Sequence, residues 1–86
     1  MSIKLSGHQI KVLSCMAKLL KNRSCPVIRP KELARYLKRN VKAIEGTLLR
    51  LRDKGVVENV GFGAWRITEA GWKTLRELGY EEGGGS

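Results

Sequence analysis

The chain holds very few of the residues from which active sites are built. Among its 86 residues there is one His, His8, one Asp, Asp53, and one Phe, Phe62. Nucleophilic or acid–base chemistry needs a reactive group, a base and an orienting partner within hydrogen-bond reach of one another. By helical position His8 and Asp53 do not converge, and the two serines near His8 have no oriented base and no identifiable oxyanion hole. The sequence therefore argues against an enzyme, and His8 reads as a solvated or capping residue near the start of the first helix. Cys15 and Cys25 make no framework, and no CxxC or Cys/His spacing of a zinc site appears. No metal, other cofactor or small-molecule ligand is expected. In a reducing cytosol both cysteines are thiols, although Cys15 on a helix and Cys25 in the following loop leave a single bridge geometrically open. Asn and Gln are scarce beside abundant Lys and Arg, which leans toward heat-adapted compositions where such bridges are less unusual. No apolar run approaches the roughly 18 residues that cross a bilayer, and no signal-peptide pattern is present. A cytoplasmic protein is the expectation.

What the chain has in excess is positive charge. The formal net charge is +9, and residues 1 to 54 carry 14 Lys/Arg against 3 Asp/Glu while residues 55 to 86 carry 3 against 5. A surface so biased attracts phosphate backbones or anionic membranes. The membrane alternative needs a basic helix with bulky apolar residues exposed opposite its charges, and nothing in the sequence demands one. With 42% hydrophobic and 29% charged residues, the composition is that of one small globular domain, expected over residues 6 to 80.

The stretch from Lys38 to Gly55 organises the rest. Asn40 is a favourable helix N-cap, and Gly55 suits the left-handed position past a helix end. Between them Val41, Ile44, Leu48 and Leu51 recur at helical spacing and define a core face. The other face carries Arg39, Lys42, Ala43, Gly46 and Arg50. Small residues flanked by cations let a helix approach a polyanion closely, as a major-groove recognition helix does. An ordinary amphipathic helix with a solvated basic face fits the same pattern.

A first helix is expected from about Gly7 to Asn22, with Ser6 and Gln9 forming a capping box. Its apolar arc is about twice the roughly 100° that a surface helix needs. The surplus flank of Val12, Cys15 and Leu19 either packs on the C-terminal helix of the same chain or forms a homodimer seam. Pro26-Val27-Ile28 reads as a short extended segment. Pro30 starts a second helix, running to Leu37 or Lys38, that turns Leu33, Ala34 and Leu37 inward; the tight break at Lys38-Arg39-Asn40 then makes a helix-turn-helix. Beyond Gly55 the pattern alternates, predicting strands at Val56–Val60 and Ala64–Thr68 joined at Gly61-Phe62-Gly63. Val57, Val60, Trp65 and Ile67 are expected to face inward and Glu58 to face Arg66, with Val27 or Ile28 adding a third short strand. Thr68 caps a last helix, Glu69 to about Leu78, with Trp72, Leu75 and Leu78 as its stripe and Gly71 allowing close approach. Tyr36, Trp65 and Trp72 read as core fillers and Phe62 as exposed. Residues 81 to 86 read as a flexible tail, and its GGGS is set aside as a linker-like end.

The order helix, strand, helix, turn, helix, hairpin, helix resembles the winged helix-turn-helix domain, an α+β fold, mostly α, with three helices, a two- to three-stranded wing sheet and a short C-terminal helix. LLRLRDKGVV at Leu48 to Val57 resembles the end of the recognition helix in the MarR, PadR and ArsR repressor groups. ITEAG at Ile67 to Gly71 resembles the LTxxG join between wing and final helix. The resemblance, over residues 6 to 79, implies base contacts from Lys42, Ala43, Glu45, Gly46 and Arg50, and phosphate contacts from Lys31, Arg35, Lys38, Arg39 and the wing. The chain departs from those groups in three respects: an uncharged wing tip at Phe62, no long dimerising terminal helices, and no metal cluster of the ArsR type. Z-form-binding winged helices also carry a Trp on the last strand, but their Asn and Tyr would fall at Glu45 and Leu49.

These readings predict a double-stranded DNA-binding transcriptional regulator, homodimeric and nucleoid-associated when bound, with Phe62 entering a minor groove or a partner. The competing expectation is a protein-interaction or assembly module on which the basic surface is incidental; RNA binding is a third.

Overall fold

The computed structural model of the chain describes residues 4–21 and 27–79. In chain order the elements are α1 (Gly7–Lys21), α2 (Pro30–Leu37), α3 (Val41–Asp53), β1 (Val57–Gly61), β2 (Ala64–Ile67) and α4 (Glu69–Glu77). This is a mostly helical α+β arrangement of four helices and a two-stranded antiparallel sheet, compatible with a winged-helix-like order. The expected helix end at Asn22, Cys25, the restraint from Pro26 and the tail at 81–86 lie outside the described residues.

Side chains at the helix ends set most of the boundaries. The Ser6 N–H donates to Gln9 Oε1 at 3.0 Å and the Gln9 N–H to Ser6 Oγ at 3.2 Å, so the expected capping box starts α1. Extended Arg29 precedes Pro30 at the first position of α2, and the Arg29 N–H donates to Glu32 Oε2 at 3.2 Å. Lys38 then turns left-handed, with φ of 56°, and the Arg39 N–H returns to the Ala34 carbonyl at 2.9 Å. Three residues thus suffice to reverse the chain into α3, where Asn40 Oδ1 accepts the Lys42 N–H at 2.8 Å.

The helices enclose α1, which touches α2, α3, α4 and β2. That position explains its broad apolar arc, and it corrects one expectation. Val12 and Cys15 are buried inside the chain and Leu19 is half-buried against the same core, so this flank is consumed by intramolecular packing and offers no exposed homodimer seam. Ile44, Leu48 and Leu51 of α3, Leu33 and Ala34 of α2, and Leu75 of α4 join it in the interior, with Ile28, Val56, Val57, Trp65 and Ile67 from the hairpin side. Val41 and Leu37 lie half-buried at its edge.

Strands β1 and β2 pair Val57 with Ile67, Glu58 with Arg66 and Asn59 with Trp65, then shift register before Gly61 meets Ala64. Val60 is exposed, against the expectation that it faces in: with Val57 inward, the period of two along a strand already puts position 60 on the opposite face, with Glu58. Ile28 forms an isolated antiparallel bridge to Trp65 through two 2.8 Å backbone bonds, the short third segment predicted beside the hairpin. Thr68 joins hairpin to α4: its hydroxyl accepts the Gly71 N–H at 3.1 Å and donates to the Gly55 carbonyl at 2.6 Å. A Cβ on Gly71 would lie 2.1 Å from the Val56 carbonyl oxygen and 2.6 Å from Ile67 Cγ2, so α4 docks with its backbone almost on the strand. Two assignments to the interior fail. Tyr36 is 53% exposed, because Leu33, Ala34 and Leu37 take the inner face of α2. Leu78 follows the end of α4 and is exposed, and Trp72 is half-buried. Among the described residues no helix is long and apolar enough to cross a membrane.

Candidate nucleic-acid interface

Ile44, Thr47, Leu48 and Leu51 hold α3 to the core, and successive residues 100° apart divide what remains into two strips. The first comprises Lys42, Ala43, Gly46 and Arg50. All are exposed except Gly46, which is half-exposed. A Cβ built on Gly46 meets nothing within 4 Å. Core packing therefore does not require this glycine, although glycine inside a helix costs about 1 kcal/mol relative to alanine. Arg39 precedes the strip, and Lys31, Arg35 and Lys38 are exposed on α2 and its C-terminal turn. Among the described residues no carboxylate pairs with any of these six cations. The predicted ridge is uncovered.

The second strip is Val41, Glu45 and Leu49, spaced four apart, and it turns toward the hairpin. With the start of α2 on one side and Asn59, Phe62, Gly63 and Trp65 on the other, it lines a groove of about 460 Å³. Leu49 is 44% exposed there. Its role in this wall was not anticipated, although the doublet Leu48-Leu49 carries the signal: on a helix with one core face, adjacent leucines cannot both point inward. Across the groove Phe62 is 96% exposed. Its φ of 53° lies between Gly61 at 99° and Gly63 at 75°, and a left-handed backbone costs a side-chain-bearing residue roughly 1–2 kcal/mol. The Asn59 carboxamide steadies this turn by accepting the Gly61 N–H at 3.0 Å.

Asp53 lies 3.8 Å from Arg52, and His8 is half-exposed at the start of α1. Burial pushes the Cys15 thiol above its ordinary range, against the opposing pull of Lys18. Among the described residues no group of three or more His, Cys, Asp or Glu could hold a metal ion. On the hairpin's outer face Arg66 Nε donates to Glu58 Oε2, so that cation is partnered. Set against protein-family models, curated proteins and solved structures, the chain gives no match.

Proposed function

We propose that the chain is a winged helix-turn-helix, double-stranded DNA-binding protein of the small transcriptional-regulator kind, laying α3 from its Asn40 cap to Lys54 in the major groove. The single observation that carries this reading is the uncovered strip of Lys42, Ala43, Gly46 and Arg50, where side-chain bulk is least and charge is free. Ala43 and Gly46 let the helix axis approach base edges, while Lys42 and Arg50 reach past them to bases or phosphates. Lys31, Arg35, Lys38 and Arg39 supply phosphate contacts that fix register. Its homodimer forms through surfaces other than the Val12, Cys15 and Leu19 flank, and sedimentation of the chain tests that.

The test is duplex affinity against salt. With about four to six phosphates neutralised per chain, log K falls with log salt at a slope of about −4 to −5. Charge reversal by Lys42→Glu with Arg50→Glu abolishes retention on duplex DNA. A slope near zero, or retention surviving the double reversal, removes the proposal. Exposed Leu49 and Phe62 favour the second reading, a protein-interaction module, which predicts partner capture indifferent to that reversal.

A further inference from the structure

The groove between α3 and the hairpin is not explained by a helix resting in a major groove, and its chemistry differs from that of the cationic strip beside it. We infer that this groove holds one unpaired nucleobase bearing an exocyclic amino group, at the edge of a duplex carried on the neighbouring strip; the inference rests on the DNA-binding reading.

Phe62 and Leu49 supply the first argument. Neither is needed by the core, both are exposed, and Phe62 occupies a left-handed position that glycine or asparagine fills with less strain. A residue kept where folding disfavours it marks a contact made with something else. Together a ring on one wall and an aliphatic chain on the other offer apolar surface to the two faces of a flat group. Bases within a paired stack have no free faces to offer, whereas an unpaired base does.

Charge gives the second argument. Glu45 is the carboxylate of this groove, while Arg29 and Lys31 stand on its α2 side. A nucleotide needs that division: an acceptor for its amino group, as cytosine N4 donates to Glu, and cations for its phosphate. An acidic peptide would set its own carboxylates against Glu45. A second copy of the chain would bring another net +9 to a rim that is already cationic. The groove's size of about 460 Å³ is within the roughly 300–1,000 Å³ of small-ligand clefts.

The experiment compares three duplexes of equal length with the whole chain by fluorescence anisotropy: fully paired, with a single-cytosine bulge, and with a single-thymine bulge. The cytosine bulge binds about tenfold tighter than the paired duplex, as expected for one stacked base, and tighter than the thymine bulge. Phe62→Ser and Leu49→Ser each bring the bulged-to-paired ratio close to one, and Leu49→Ser does so while leaving paired-duplex affinity and the melting curve in place. Glu45→Ala erases the preference for cytosine over thymine. A wild-type ratio of one, or a tenfold ratio that survives Phe62→Ser, overturns the groove proposal and leaves the DNA-binding reading standing. Absence of binding to every duplex removes both. Displacement by polyglutamate as readily as by oligo(dC) of the bulged probe but not of the paired one assigns the groove to acidic peptides and overturns the proposal as well.

Discussion

Gly46 and Gly71 both lie inside helices, and they are there for opposite reasons. Beside Gly71 the Val56 carbonyl is so close that any Cβ would strike backbone. Beside Gly46 there is open space. The first glycine is explained by the fold, because α4 has to cross the strand at that distance. The second is left unexplained by every contact within the chain, and a partner that must come near the helix axis is the explanation we offer. The difference separates a residue whose reason is internal from one whose reason lies outside the molecule.

Substituting both positions tests this directly. Gly71→Ala is expected to lose about 3 kcal/mol of stability or more, because overpacking against backbone cannot be relieved by a rotamer change. Urea denaturation followed by circular dichroism measures it. Gly46→Ala is expected to gain about 0.5–1 kcal/mol from helix propensity alone. If the two variants shift the midpoint in the same direction, the contrast between the sites collapses. Gly46→Leu takes the comparison to function: folding holds, while duplex affinity falls about tenfold or more, equivalent to about 1.4 kcal/mol.

How much of this could be read from the sequence follows the same division. Positions where one local rule acts were legible: the Ser6–Gln9 box, the Asn40 and Thr68 caps, the turn around Phe62, and close approach at Gly71. Periodicity also identified Ile44, Leu48 and Leu51 as core. What failed required knowledge of neighbours. The extra flank of α1 looked like a dimer seam because a helix wheel shows how wide an apolar arc is, not how many elements surround it. Val60 is the exception: it was placed inward for being apolar, although alternation from Val57 already puts it on the face of Glu58, where it is exposed. Tyr36 was assigned to the core by its ring, yet smaller residues on α2 had already filled the inner face. The cationic strip was visible as a pattern, whereas the groove beside it needs the hairpin folded back against Leu49 to exist at all.

The Asn40 cap joins the two kinds of site, since it starts the helix that carries the open strip. Asn40→Ala is expected to remove about 1 kcal/mol of stability, leaving the Lys42 N–H without its 2.8 Å acceptor. Thermal melts check the loss, and an unchanged melt would mean that tertiary contacts alone fix the start of α3. For Cys15 the direction is set by pH. Burial raises its thiol's pKa in the fold, so the neutral form is favoured there and the contribution to stability is complete below the ordinary thiol range. It is lost as pH climbs through the folded value, when the unfolded chain gains by ionising first. Peptide mapping after alkylation should show Cys15 reacting slowly in the native protein and readily in urea.

The smallest stability change is expected at Glu58 and Arg66, and it bears most closely on whether exposed cations bind DNA merely by being exposed. The two side chains pair across the ladder on the face of the hairpin turned away from the core, while Asn59 and Trp65, which alternate with them, line the groove. Both are about half-exposed, so Glu58→Gln is expected to cost no more than about 0.5 kcal/mol. The same change releases Arg66. If any unpaired cation on this molecule engages phosphate, the salt slope on duplex DNA steepens by about 0.9. We expect it not to change, because Arg66 projects from the far side of the sheet, whereas Lys42→Ala should make the slope shallower by about that amount. Equal and opposite shifts in the two variants would show that charge alone, rather than the small-residue strip of α3, directs the chain to nucleic acid.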